Sequence, residues 1–98
     1  MFGRKENRNA LEPPPVASTN PDAVEILRVW AIPGDTQQVS LQPTWKDPGA
    51  WGLMLVDVAR HAANAYANNG YDHDEVLERI RELFDEEWDN PTDDAREI

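Results

Sequence analysis

Residues 47–70 read DPGAWGLMLVDVARHAANAYANNG, and this stretch decides the fold because it predicts one long helix. Asp47 followed by Pro48 is a typical helix start, since the carboxylate accepts a free N–H of the first turn and proline suits the first helical position. Gly70 is a typical stop, because glycine readily adopts the left-handed conformation that ends many helices. The alanines and leucines between these signals favour helix. We therefore predict a helix from Asp47 to Gly70.

The predicted helix has an unusually wide apolar face. At about 100° per residue, apolar side chains cover roughly 220° of its circumference, whereas an ordinary surface helix shows about 100° or more. The apolar side chains are Trp51, Met54, Leu55, Val56, Val58, Ala59, Ala62, Ala63, Ala65, Tyr66 and Ala67. A face this wide must be covered on more than one side. We expect it to be covered by the rest of the chain and by a second copy.

The chain has 98 residues and no cysteine. This length predicts one domain at most, and a core of that size stabilises the fold by only roughly 3–5 kcal/mol. Without cysteine there is neither a disulfide nor a thiolate metal site. Self-association is then the remaining common source of stability, which favours a homodimer.

The formal net charge is −10, and residues 72–98 carry twelve acidic but only three basic residues. Such a chain repels phosphate, so we expect neither nucleic acid nor an anionic membrane as a partner. A basic protein partner is compatible with this charge. The polar N-terminus does not resemble a signal peptide, and no apolar run approaches the roughly 18 residues of a membrane span. We therefore expect a cytoplasmic protein.

Two strands are predicted before the helix. Residues 23–32 (AVEILRVWAI) are rich in β-branched and aromatic residues and are apolar on both faces. Residues 38–42 (QVSLQ) alternate, with Val39 and Leu41 on the inner face. Residues 33–36 (PGDT) are a turn signal, so the strands form an antiparallel hairpin with a loop of about four residues. The sequence offers no convincing third strand, and a hairpin alone is marginal in water.

A second helix is predicted from Asp72, which with Glu75 forms an acidic capping signal. Its apolar stripe spans about 140° and comprises Val76, Leu77, Ile80, Leu83, Phe84 and Trp88. The short link predicts that the two helices are antiparallel neighbours. Acidic residues crowd the last turn, where the helix dipole prefers cations, so that turn is expected to fray unless Trp88 docks firmly or a basic group lies nearby.

These elements predict an α+β fold of ββαα order over residues 23–89, with the antiparallel hairpin packed on the antiparallel helix pair. The helices could cover one face of the hairpin, or the hairpins of two copies could pair into a four-stranded sheet and remove an exposed edge. Residues 1–22 are predicted to be a disordered N-terminal arm, and residues 90–98 a disordered acidic tail.

The residues that could carry chemistry are few. Asp57, His61 and Asn64 share one helix face, and a carboxylate that orients an imidazole is half of a catalytic arrangement. A polar stripe facing water is the commoner meaning of this pattern. Residues 72–75 (DHDE) match neither a zinc nor a calcium motif, and no phosphate-binding loop is present. We therefore predict no catalytic, cofactor-binding or metal residues and no cofactor.

Four tryptophans could mark a pocket or an interface: Trp30, Trp45, Trp51 and Trp88. Tryptophan is enriched at binding hot spots and is also common in cores. A core or subunit interface is the favoured interpretation, because so small a domain rarely has volume for a large ligand cavity.

Three stretches resemble a family of small bacterial proteins known only as a domain of unknown function. They are residues 24–30 (VEILRVW), residues 47–52 (DPGAWG) and residues 62–66 (AANAY), and the resemblance covers about residues 20–90. It implies a bacterial, cytoplasmic protein. Since the family has no established activity, it implies no site residues.

The sequence thus favours a non-enzymatic interaction or accessory domain that acts as a homodimer. The alternative is a small-molecule-binding or enzymatic domain. That alternative would use either the face of Asp57, His61 and Asn64 or the tryptophan cluster.

Overall fold

The computed structural model describes residues 8–92 and 96–97. Its elements are α1 (Val16–Thr19), β1 (Leu27–Trp30), β2 (Gln38–Leu41), α2 (Gly49–Ala67), α3 (His73–Asp89) and β3 (Arg96–Glu97). The α+β class and the ββαα order of the main elements are confirmed. The single turn α1 lies in the predicted arm. The predicted disorder of residues 1–22 and 90–98 falls partly on residues outside the described ranges and stays a prediction.

β1 and β2 form an antiparallel hairpin in which Leu27 is opposite Leu41 and Val29 is opposite Val39. The loop contains the predicted turn: the Asp35 N–H donates to the Ile32 carbonyl at 2.9 Å, and Gly34 has a φ of +79°. Proline at the second and a positive-φ glycine at the third position are typical of a type II turn. The unpaired connection is longer than predicted, running over residues 31–37.

A third strand was not predicted. β3 pairs parallel with β2, with Gln38 opposite Arg96 and Val39 opposite Glu97. The sheet order is therefore β1-β2-β3, and β1 is an edge strand within the described part of the chain.

α2 begins and ends with the predicted signals. The Gly49 N–H donates to Asp47 Oδ1 at 2.8 Å, so the carboxylate serves the first turn even though the helix proper begins at Gly49. At the other end Gly70 has a φ of +97°. The Gly70 N–H donates to the Ala67 carbonyl and the Tyr71 N–H donates to the Tyr66 carbonyl, which is the Schellman pattern.

α3 begins as predicted, because the Glu75 N–H donates to Asp72 Oδ1 at 3.0 Å. It continues through Asp89, and the Asn90 N–H donates to the Glu86 carbonyl at 2.9 Å. The Thr92 N–H and hydroxyl both donate to the Glu87 carboxylate at 2.6 Å. The fraying of the last turn stays a prediction.

The two helices approach each other closely, and the hairpin backbone does not come as close to them. Across the described elements, no Cα atom of β1 or β2 comes within 8 Å of a Cα atom of α2 or α3. The ββαα arrangement is confirmed, and the predicted packing of the hairpin on its own helix pair shows no backbone approach of this kind. Periodicity shows that a face must be covered, but it does not show which copy of the chain covers it.

One chain buries very little. Ala63 is the only fully buried hydrophobic residue among those described. The accessible surface is 8933 Å², whereas a folded chain of 11.1 kDa is expected to expose about 5,700 Å². The radius of gyration is 15.9 Å, against about 13 Å for a compact chain of this length. Within the described ranges, no helix is both long and apolar enough to cross a bilayer.

Candidate interaction surface

An open groove of about 760 Å³ lies between α2 and α3. It runs along α2 from its start to Arg60 and along α3 from Leu77 to Trp88. Its lining is mainly apolar: Pro48, Gly49, Trp51, Gly52, Leu55, Val56, Ala59, Leu77, Ile80, Phe84 and Trp88, with Arg60, Arg81 and Asp85 as the charged members. We call this surface the helix groove.

The groove is open at one end of the helix pair and closed at the other. Near the turn, Ala63 is buried, and the rings of Tyr66 and Tyr71 meet edge to face at 5.2 Å. Far from the turn, the helices carry bulky side chains that have only local partners. Phe84 stacks on Trp88 with ring centroids 5.6 Å apart, yet Trp88 remains 74% exposed.

Two of the three charged residues that line the groove are paired with each other. Arg81 Nε donates to both carboxylate oxygens of Asp85, at 3.0 and 3.1 Å, in an ion pair one turn apart on α3. Both side chains are largely exposed. A surface pair of this kind contributes little to stability and leaves the apolar lining uncovered.

The second apolar surface of the chain lies on the hairpin. Strand alternation and the observed register place Leu27 and Val29 of β1 and Val39 and Leu41 of β2 on one face. We call these four residues the hairpin face. Val29 is 51% exposed and Leu41 is 41% exposed, whereas Leu27 and Val39 are half-buried, so the described chain covers this face only in part.

The other side of the hairpin is more polar. Arg28, Trp30, Gln38 and Ser40 lie there. Arg28 forms an ion pair with Glu25 at 2.8 Å, and the hydrogen bond and charge of that carboxylate raise the pKa of the guanidinium. Trp30 is the apolar member of this side, and the hairpin face with its four aliphatic side chains is the more apolar of the two.

The three polar candidates on α2 are not joined to one another by hydrogen bonds in the described residues. Asp57, His61 and Asn64 are all exposed. The same ranges contain no group of three or more acidic, histidine or cysteine side chains that could hold a metal ion.

The tryptophan candidates are largely gathered at the groove. Trp51 and Trp88 line it, and Trp45 meets Trp51 edge to face at 5.4 Å. Trp30 lies apart on β1, on the polar side of the hairpin. Sequence reasoning missed the aliphatic majority of the groove, although Leu55, Leu77 and Ile80 belong to apolar stripes that were predicted to need cover.

The comparisons with other proteins agree with this architecture. A family described as a domain of unknown function, DUF5076, matches residues 10–92. A solved structure from the photosynthetic bacterium Rhodopseudomonas palustrus CGA009, described as that of a "putative pyruvate dehydrogenase", is 43% identical with a TM-score of 0.68. The match covers 97% of this chain and 94% of that one. No curated protein matches the chain. The resemblance inferred from residues 24–30, 47–52 and 62–66 is therefore confirmed, and the chain belongs to the DUF5076 family of domains of unknown function.

Proposed function

We propose that this chain is a non-enzymatic interaction or accessory domain that acts as a homodimer. The observation that supports the proposal is the distribution of apolar surface. The helix groove and the hairpin face are both open, while Ala63 is the only fully buried hydrophobic residue in the described ranges. A monomeric soluble protein rarely leaves apolar patches of more than a few hundred Å² uncovered.

The area involved is of the size that a permanent interface needs. The accessible surface exceeds the value expected for a compact chain of this mass by about 3,000 Å². Obligate homodimers bury roughly 2,000–5,000 Å² in total, counted over both partners. Part of the excess belongs to the residues before β1, among which Leu11 is 91% exposed.

A second copy of the chain is the partner that best fits a stability role. A domain without a core of its own is marginal, and mass action then makes its stability depend on whatever covers it. A second copy is always present wherever the first is synthesised. A dimer of this kind would keep its acidic residues in solvent, where they favour solubility or a basic protein partner.

Light scattering coupled to size exclusion tests the proposal. We expect a mass of twice 11.1 kDa at micromolar concentration, and a melting temperature that rises with protein concentration. A particle of 11.1 kDa whose melting temperature is independent of concentration would overturn it.

A small-molecule site is the second candidate, and the helix groove is the observation that favours it. Its volume of about 760 Å³ lies in the range of ligand pockets, and Trp51 and Trp88 could hold an apolar ligand. The arginines that line it could bind an anionic group. Anilinonaphthalene sulfonate, an apolar anion, separates the two proposals. Saturable binding of one probe per chain to the native protein supports a ligand site, whereas a groove covered by a second copy would bind none.

The description of the Rhodopseudomonas relative as a dehydrogenase does not make an enzymatic role the favoured proposal for the present chain. An enzymatic role for the present chain would need a positioned catalytic group, and Asp57, His61 and Asn64 are the predicted set. Their exposure and the lack of a hydrogen bond among them, within the described residues, give no support for a held imidazole.

A further inference from the structure

We propose that the two copies exchange hairpins, so that the hairpin face of each chain lies in the helix groove of the other. The inference rests on the proposed homodimer and specifies how its two copies fit together. It assigns the groove to one occupant, which is formed by Leu27, Val29, Val39 and Leu41 of a second copy.

The two surfaces are complementary in chemistry. The hairpin face presents four aliphatic side chains on a flat strand pair, and the groove is lined by aromatic and aliphatic side chains. If something else covered only one of these surfaces, the other would stay exposed to water. Burying one against the other covers both in a single contact, which a twofold axis then repeats.

The Cα atoms of the hairpin strands lie more than 8 Å from those of their own helices. The connection between β2 and α2 is only residues 42–48, and Pro43 and Pro48 restrict its backbone. The Thr44 N–H donates to the Gln42 carbonyl at 2.8 Å, and Trp45 packs edge to face on Trp51. A connection whose backbone is restricted in this way favours exchange of an element between copies over its return to the same chain.

Charge favours the exchange over direct packing of groove on groove. The charged members of the groove lining, Arg60, Arg81 and Asp85, sum to a formal +1, whereas residues 23–42 carry two acidic and one basic residue, a formal −1. Packing two helix grooves together would bring two linings of the same sign next to each other, and like charges repel. A nearly neutral hairpin avoids that cost. Groove-to-groove packing would also leave the hairpin face uncovered.

The test uses one substitution on each surface and a matched control. Val29→Glu places a charge on the hairpin face, and Phe84→Lys places the opposite charge in the helix groove. Ser40→Glu adds the same charge to the other side of the hairpin, opposite Arg28. Sedimentation equilibrium measures dimer dissociation for each variant alone and for an equimolar mixture of the first two, after circular dichroism has verified that each is folded.

We expect Val29→Glu and Phe84→Lys each to raise the dissociation constant by about a hundredfold or more, as for a central interface residue, and Ser40→Glu to change it less than about threefold. In the mixture one contact is intact and the other pairs glutamate with lysine. The mixture should therefore dimerise at concentrations where neither variant does alone.

Each other outcome overturns the exchange in a recognisable way. If Val29→Glu dimerises like the wild type, the hairpin face is outside the interface, and only the homodimer proposal survives. If both variants dissociate but the mixture does not recover, the two surfaces do not meet each other. If the wild type is a monomer, both proposals fail.

A measurement on the wild type covers the case in which Val29→Glu fails to fold. Isotope-filtered NOE spectra of mixed labelled and unlabelled chains should show contacts between the methyl groups of Val29 or Val39 and those of Leu55 or Ile80 in the other copy. Intermolecular contacts confined to groove residues would contradict the exchange.

Discussion

The two ends of the helix pair are formed by the same two helices, but one end is capped by the chain itself and the other leaves an apolar groove open. At the closed end, the chain satisfies its own backbone. The Gly70 and Tyr71 N–H groups donate to the last carbonyls of α2 at 3.1 and 3.2 Å, and Asp72 accepts from the first turn of α3 at 3.0 Å. The Tyr66 and Tyr71 rings add the apolar contact that often accompanies a Schellman motif.

At the open end, the problem is area rather than hydrogen bonds. Trp51, Leu55, Phe84 and Trp88 face a groove that nothing in the described chain fills. Backbone donors and acceptors can be satisfied by residues a few positions away, because a hydrogen bond needs one partner atom. Apolar surface is removed from water only when a comparable area of other surface covers it.

The two ends of the helix pair differ in whether their stability depends on protein concentration. The closed end is complete within one chain, so changes there should alter the stability of the fold without altering its association. The open end is complete only when something covers it. Changes there should act on association first and on the fold through it.

The largest effect is expected for Leu55→Glu at the open end. Leu55 lines the helix groove and is 41% exposed in a single chain. A carboxylate placed in that apolar contact should weaken the dimer by about 2–4 kcal/mol, in the range of an interface hot spot. Sedimentation and thermal unfolding at several concentrations measure the loss.

Leu53→Glu is its matched control on the same helix. Leu53 is 75% exposed and does not line the groove, so this substitution should leave dissociation unchanged and shift stability by less than about 0.5 kcal/mol. Equal losses for the two variants would mean that the groove is no different from the rest of the α2 surface.

The same contrast explains how much the sequence could predict. The capping roles of Asp72 and Gly70 depend on residues within one or two turns, so local patterns identified both. The hairpin was predicted for the same reason. β1 is nevertheless shorter than the predicted residues 23–32, because a strand extends only as far as its partner, and β2 has four residues before Pro43 breaks the pairing.

The candidate site was less predictable because it depends on long-range packing. Trp51 and Trp88 were two of the four tryptophans that could mark a pocket or an interface, and both line the groove. The polar set of Asp57, His61 and Asn64 was suggested by helical spacing alone, which cannot tell a solvent-facing stripe from a site. The separation of the hairpin from its helices has no local signature, since either copy could supply the same apolar face.

The second prediction concerns the closed end, at Gly70. Its φ of +97° is a conformation that side chains rarely adopt, so Gly70→Ala should destabilise the fold by about 1–2 kcal/mol. Urea unfolding monitored by tryptophan fluorescence measures the change. Asn69→Ala, which alters the neighbouring residue without a positive φ, is the control and should cost much less. A loss for Gly70→Ala that grew on dilution would tie the turn to the interface and contradict the division between the two ends.

The smallest of the three effects is expected for Asp72→Ala. The substitution removes the acceptor of the Glu75 N–H and should cost about 1 kcal/mol, as for other N-caps. Asp74→Ala removes a carboxylate from the same helical turn, but that group is 95% exposed and bonds only to His73, so a few tenths of a kcal/mol are expected. The difference between the two variants isolates the cap from the general effect of charge. If Asp72→Ala instead changed dimer dissociation as strongly as Leu55→Glu, the closed end would be part of the interface. The division between an end that is complete within one chain and an end that needs a partner would then be wrong.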